Sequence, residues 1–108
     1  MHVTAWAFIY EHPDTDPVED RIVIDRAGQR TYLVPVPTPA EAPATAIALI
    51  DEGIGLIELC GGFALVDAAR VVEAVDGRVP VGHVTFAVDS GQGLAAYSAQ
   101  FEAEQSPA

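Results

Sequence analysis

The first strongly apolar stretch of the chain, residues 3–10, reads VTAWAFIY. A strand with one solvent-exposed face alternates apolar and polar residues, whereas this run is apolar at nearly every position. Such a pattern is typical of a central strand in a parallel sheet that is covered on both faces. The stretch IGLIELC at residues 54–60 repeats it, interrupted only by Glu58. Two strands of this kind predict an α/β protein built around a parallel sheet.

Two further strands are predicted around this centre. TYLVPV at residues 31–36 is strand-like, but Pro35 cannot donate to a strand ladder, so this strand is expected at a sheet edge. PVGHVTFAV at residues 80–88 is the fourth strand. Apolar residues at helical spacing and capping signals predict helices over residues 39–52 and 65–76 and from residue 94 onward.

A fourth helix is predicted over residues 17–26 from signals at its ends. Asp16 is suited to cap a helix, Pro17 to occupy its first turn, and Gly28 to end it in the left-handed conformation. Each of the four strands would then be followed by a helix.

This alternation predicts a small three-layer α/β sheet of four mainly parallel strands in the order 2-1-3-4. The sheet and its helices would form one domain over residues 1–104, followed by a frayed tail at residues 105–108. A ferredoxin-like α+β sheet is the alternative. In the favoured order the sheet reverses direction between strands one and three, and ligands bind at such switch points, outside the carboxyl ends of the strands. The loops at residues 11–16 and 60–63 would meet there.

The composition excludes several classes of function. The chain has 108 residues, five Arg, no Lys and a formal charge of −11, which argues against nucleic acid as a partner. Without lysine there is no anchor for pyridoxal phosphate. The single cysteine excludes an internal disulfide, and the sequence shows neither a membrane span nor a secretory signal, so a cytoplasmic protein is expected.

The turn Cys60-Gly61-Gly62-Phe63 is the first candidate site. Two glycines between a buried strand and a helix let a ligand come close to the main chain, or they simply make a tight turn. The following helix has no Ser, Thr, Asp or Asn to cap it, so a carboxylate or phosphate could bind its first N–H groups. Cys60 would face that helix start, where a thiol becomes more nucleophilic, although a lone cysteine is more often a small buried hydrophobe.

Glu58 and His83 are the other candidate catalytic residues. A carboxylate in an otherwise apolar strand must be paired, hydrogen-bonded or protonated, and burial raises its pKa toward the range of a general acid or base. His83 lies one predicted strand away and could complete an acid–base couple with Glu58. The structural alternatives are an ion pair or a subunit contact for Glu58 and a hydrogen-bonded core position for His83.

His12 lies in the first switch-point loop and is a candidate ligand-binding residue. The loop also holds Glu11, Asp14 and Asp16, but their spacing matches no established metal loop, so no metal is predicted and a solvated turn is favoured. The same loop, HPDTD, lacks the Ser/Thr/Gly-rich phosphate cradle of flavin-binding proteins, which argues against a flavin role. The cofactor is left open.

IELCGGF, VDAARVVEAV and GRVPVGHVTF, at residues 57–63, 66–75 and 77–86, together resemble a family of small bacterial proteins of uncharacterised function. The resemblance covers most of residues 54–86 and is most specific at Glu58, Cys60, Gly61 and Gly62. It implies a small cytoplasmic α/β protein and carries over no reaction. Ala64 and Leu65 stand where relatives have a further glycine.

Two kinds of function remain open from the sequence. The first is a protein that binds a small anionic metabolite at the Cys60-Gly61-Gly62 turn, with or without isomerase, lyase or hydrolase activity. The second is a non-catalytic assembly or regulatory protein that forms homo-oligomers through an apolar helix or the edge strand, with Glu58 buried in the contact.

Overall fold

The computed structural model describes residues 3–105 and contains five strands and three α-helices. In chain order these are β1 Thr4–Glu11, β2 Ile22–Arg26, β3 Gln29–Val36, α1 Ala42–Asp51, β4 Ile57–Leu59, α2 Leu65–Val75, β5 Val81–His83 and α3 Gly91–Gln105. Short 3-10 turns precede α1 and α3. Residue 105 ends α3, and the rest of the predicted tail lies outside the described residues.

The strands form one sheet in the order β2-β3-β1-β4-β5. β1 pairs in parallel with β3 and β4, and β4 pairs in parallel with β5, whereas β2 is antiparallel to β3. The α/β class and the predicted order 2-1-3-4 are confirmed in β3-β1-β4-β5, with β2 as one additional strand. The predicted edge position of the strand at residues 31–36 is wrong, because β2 pairs with the other side of β3; Pro35 is tolerated because it lies beyond the residues that pair with β2. The mainly parallel pairing sets this sheet apart from the ferredoxin-like alternative.

The prediction of a helix over residues 17–26 is wrong. Asp16 does act as a cap, because its carboxylate accepts the backbone N–H groups of Val18 and Glu19 at 2.9 and 2.8 Å, but the chain completes only a single turn. The next residues form β2, which makes a hairpin with β3 through Ala27 and Gly28, both at positive φ. Gly28 therefore adopts the predicted left-handed conformation, in a two-residue β-turn.

This hairpin decides which face of the sheet is covered. The connections β3-α1-β4 and β4-α2-β5 cross the sheet in the same direction, so right-handed crossovers place both helices on one face. The expected helix of the first connection would have covered the other face and formed the third layer. Because that segment forms β2 instead, none of the described helices packs on the second face.

The hydrophobic core lies between the sheet and the two packed helices. From the strands it contains Ala7, Ile9, Val34, Val36, Ile57 and Leu59, which share the helix-side face. From α1 it contains Ala42, Ala46 and Leu49, and from α2 Ala68, Val71 and Val75. Phe63 also packs into it from the turn after β4.

Helix α3 is exposed along its whole described length. It passes the carboxyl edge of the sheet, where it shares clefts with residues that directly follow β1, β3 and β4. The chain is correspondingly elongated, with a radius of gyration of 15.1 Å, against about 13 Å for a compact domain of this length. None of the described helices is long and apolar enough to cross a membrane.

Candidate functional site

A cleft lies between the turn after β4 and helix α3, at the carboxyl edge of the sheet. This edge cleft has a volume of about 850 Å³. It is lined by Gly61, Gly62, Phe86, Asp89, Ser90, Gly93, Leu94, Tyr97 and Ser98. A volume of this size is in the range of small-molecule sites. Its lining residues follow β4 and β5, so this cleft lies beside the switch point of the sheet, which is between the carboxyl ends of β1 and β4.

A second cleft adjoins the first and shares Gly62, Tyr97 and Ser98 with it. Its volume is about 560 Å³, and its other lining residues are Glu11, Pro13, Pro37, Cys60, Phe101 and Glu102. Both loops predicted at the switch point thus contribute to the pair of clefts. The opposite wall of each is the side of α3 that carries Tyr97 and Ser98.

Neither glycine of the turn is at positive φ, so the turn does not require glycine for its backbone conformation. At Gly61 the requirement is close packing: a Cβ there would lie 2.6 Å from a ring carbon of Phe86 and 3.2 Å from the carbonyl oxygen of Val84. At Gly62 a Cβ would make ordinary contacts, 3.5 Å from the Cys60 Sγ and 3.8 Å from a Glu11 carboxylate oxygen. Gly62 therefore leaves space in the cleft.

Three other candidates of the sequence lie near this turn in different surroundings. Cys60 is partly buried against the core and lines the second cleft. Phe63 is a core residue with 3% of its surface exposed, and it does not line the clefts. His12 is exposed, with its Nδ1 2.9 Å from the Pro13 carbonyl oxygen, and it also lies outside the clefts.

Glu58 and His83 do not form a couple. They lie on neighbouring strands, but the register places Gly82 opposite Glu58 and Leu59 opposite His83. Their side chains therefore project from opposite faces of the sheet. Glu58 lines a separate depression of about 480 Å³ with Trp6 and Gln29, and His83 has a buried Nε2 with no hydrogen-bond partner among the described residues.

The electrostatic environment of the clefts is acidic. Asp89 lines the first cleft and Glu11 and Glu102 line the second, whereas no arginine lines either. Partial burial raises the pKa of Glu11, and the nearby carboxylate of Asp67 raises it further. The start of α2 lacks a side-chain cap, as predicted, but its N-terminal residues do not line the clefts.

Replacing Glu11 with glutamine is expected to stabilise the protein at neutral pH. A carboxyl group whose pKa is raised on folding favours the folded state when protonated, and this contribution is lost as the pH rises through the folded-state pKa. Glutamine keeps the shape and removes the charge. Urea unfolding of both proteins across pH should show a gain at neutral pH that disappears below the usual pKa of glutamate. An equal gain at every pH would contradict this explanation.

The residues of α3 and Phe86 are the part of the site that the sequence did not single out. The sequence places Leu94, Tyr97, Ser98 and Phe101 on one side of the predicted closing helix but does not indicate what that side contacts. The sequence signal for this wall was the presence of aromatic residues on the closing helix. Aromatic residues are common both in hydrophobic cores and in the walls of clefts, so this signal does not distinguish the two. Among residues 3–105 there is also no group of three His, Cys, Asp or Glu placed to hold a metal ion.

The fold and the clefts define a small α/β protein with two adjoining clefts at the carboxyl edge of the sheet, bounded on one side by helix α3. Residues 4–99 match the family of unknown function DUF6506, and the chain belongs to that family. The chain matches no curated protein and no solved structure.

Proposed function

We propose that this protein binds a small, largely apolar molecule in the edge cleft, through a neutral or positively charged polar group of that molecule. The observation that carries the proposal is the lining of the cleft. Phe86, Leu94 and Tyr97 supply apolar and aromatic walls, Asp89 is the one charged lining residue, and no cationic residue lines the cleft. Small-molecule sites combine such walls with a few polar groups that orient the ligand. An amine next to a carboxylate and aromatic rings gains from both.

The carboxylate or phosphate ligand expected from the diglycine turn has less support from this lining. An anion in the edge cleft would meet backbone N–H groups and hydroxyls but no arginine, and it would lie next to Asp89. In the second cleft it would meet Glu11 and Glu102. Repulsion between like charges in partly desolvated surroundings disfavours such a ligand.

Binding without catalysis fits the placement of the candidate residues better than an isomerase, lyase or hydrolase does. Glu58, Cys60 and His83 lie in three different surroundings, and none of them lines the edge cleft. General acid–base catalysis needs both groups within hydrogen-bond reach of one substrate. The proposal therefore assigns no catalytic residue.

A pair of probes that differ only in charge tests the ligand class. Phenethylamine and hydrocinnamate share a phenyl ring and an ethylene linker but carry an ammonium and a carboxylate group, respectively. We expect the amine to perturb NMR signals of residues at the edge cleft and to raise the melting temperature, with a smaller effect from the acid. Preferential binding of the acid would overturn the proposed ligand class, and binding of neither would overturn the site.

Replacing Tyr97 with alanine is expected to weaken binding of the amine about tenfold, because one wall of both clefts loses its ring. Tyr97 is 69% exposed, so the fold should tolerate the change. Val72→Ala is the matched control, since Val72 is 52% exposed on α2 and does not line the clefts. Titration followed by NMR gives both affinities, and equal affinities in the two variants would contradict the role of Tyr97.

A further inference from the structure

The sheet face opposite α1 and α2 carries an apolar surface that no described helix covers. Strand register places on it Trp6, Phe8 and Tyr10 of β1, Leu33 of β3, and Ile22 and Ile24 of β2. The rings of Phe8 and Tyr10 stack on one another with centroids 6.1 Å apart, as side chains on one face do. We refer to these six residues as the open face.

The open face is apolar beyond what a strand exposed to water requires. Ile22 is 56% exposed and Ile24 40%, although both are in a strand that could have carried polar residues there. With strands about 4.8 Å apart and a rise of about 3.3 Å per residue, the strand residues of β1 to β4 cover a footprint on the order of 400 Å². That footprint includes polar strand residues, and Trp6, Phe8, Tyr10 and Leu33 are half-buried. A contact between two such faces would bury about 800 Å² in total, at the low end of specific interfaces, so a weak association is expected.

The charges on this face cancel. Among strand residues on this side only Arg26 and Glu58 are charged, and neither forms an ion pair within residues 3–105. The other four arginines are all paired with Asp or Glu. In a chain with a formal charge of −11, the open face is thus a neutral region of the surface.

We infer that the open face binds a second copy of this chain, sheet against sheet, in a two-fold symmetric dimer. A basic partner would bind to the acidic parts of the surface. A second copy of this chain is itself acidic, and the electrostatic repulsion between two copies is smallest where a neutral apolar face meets its equivalent. This contact buries the same residues on both copies, as a two-fold interface requires. It does not depend on the ligand proposed for the edge cleft.

The positions of the two charges are compatible with this symmetry. A two-fold axis parallel to the strands and between β3 and β1, at the centre of the strands β2-β3-β1-β4, places β2 of each copy over β4 of the other. The Arg26 side of one copy then lies over the Glu58 side of the other. Register offsets these residues along the strands by four positions, roughly 13 Å, which exceeds the screening length at physiological salt. The charges therefore orient the copies weakly, and the buried apolar area supplies the stability.

Neighbouring residues of β2 provide a matched test. Ile24 and Val23 are 40% and 43% exposed, but register places Ile24 on the open face and Val23 on the opposite side. Ile24→Glu buries a carboxylate in the dimer and changes little in the monomer, whereas Val23→Glu adds the same charge outside the contact. Circular dichroism checks that both variants fold.

Sedimentation velocity over a wide range of concentrations gives the association state. We expect the wild-type chain and Val23→Glu to form a species of twice the 11.4 kDa chain mass, and Ile24→Glu to raise the dissociation constant about tenfold or more. Added salt should strengthen the dimer, because it screens the repulsion between two acidic chains. A wild-type chain that stays monomeric, or equal effects of the two substitutions, would overturn the inference and leave this face to another partner.

Discussion

Replacing Leu59 with alanine is expected to lower the free energy of unfolding by about 2–5 kcal/mol. Leu59 has no exposed surface and lies in β4 between Ile9 of β1 and His83 of β5. Removing its side chain loses apolar burial and leaves a cavity under the two helices. Because small domains are stable by about 5–15 kcal/mol, this single change removes a large fraction of the total.

Leu65→Ala is the control for the loss of a leucine side chain. Leu65 is 80% exposed at the start of α2, so its replacement should change stability by no more than about 0.5 kcal/mol. Urea denaturation followed by circular dichroism measures both variants. If Leu59→Ala cost no more than Leu65→Ala, the core between sheet and helices would not be packed as described.

Replacing Gly61 with alanine is expected to destabilise the protein by about 1–3 kcal/mol through overpacking. The Phe86 ring, 2.6 Å from the new Cβ, is 53% exposed and can rotate away. The Val84 carbonyl oxygen, 3.2 Å away, cannot move as easily, because the Val84 N–H donates to the Leu59 carbonyl at 3.0 Å and ties this backbone to β4. Displacement of Phe86 should also weaken ligand binding in the edge cleft.

Gly62→Ala is the matched control at the next position of the turn. Its Cβ would make only ordinary contacts, and its φ is not positive, so stability should change by about 0.5 kcal/mol or less. Thermal unfolding of both variants separates the two effects. Equal destabilisation would mean that the turn needs glycine for its backbone conformation, contrary to the packing argument.

Much of the fold followed from local patterns. The continuous apolar runs at residues 3–10 and 54–60 match β1 to within one residue and contain β4. The helical spacing and the glycine stops predicted α1 and α2 within a few residues. The rule that crossovers are right-handed then favoured the strand order 2-1-3-4. The strands β3, β1, β4 and β5 follow this order in the sheet. These predictions succeeded because they depend on period and chain direction alone.

The wrong helix prediction at residues 17–26 rested on capping signals at the two ends of the segment and not on the residues between them. Asp16 caps one turn, but Ile22, Val23 and Ile24 are three consecutive β-branched residues, which favour a strand. Pairing with β3 from Leu33 to Gln29 satisfies the backbone groups that face β3, and this outweighs the weak helix signal. The β-branched run was the signal that could have revealed the hairpin.

The sequence singled out one wall of the two clefts. The turn with Gly61 and Gly62 lines the edge cleft, and Cys60 and Gly62 line the second cleft, which lies where the strand order places the switch point. The opposite wall, with Tyr97 and Leu94, comes from a helix whose position depends on a few weak contacts with the rest of the chain. Spacing along the sequence does not determine where such a helix lies.

The amino-acid pattern was sufficient to predict the helices and strands other than β2, because the period of the apolar residues is a local property. It was also sufficient to predict that β3, β4 and β5 run parallel, because each is joined to the next by a short connection that contains a helix. Three-dimensional packing decided which sheet face stays uncovered and which side chains meet. Glu58 of β4 lies opposite Gly82 of β5, one residue away from His83. Because successive side chains of a strand point to opposite faces, this offset of one residue places Glu58 and His83 on opposite sides of the sheet. Register depends on pairing with distant strands, and the positions of these side chains follow from it.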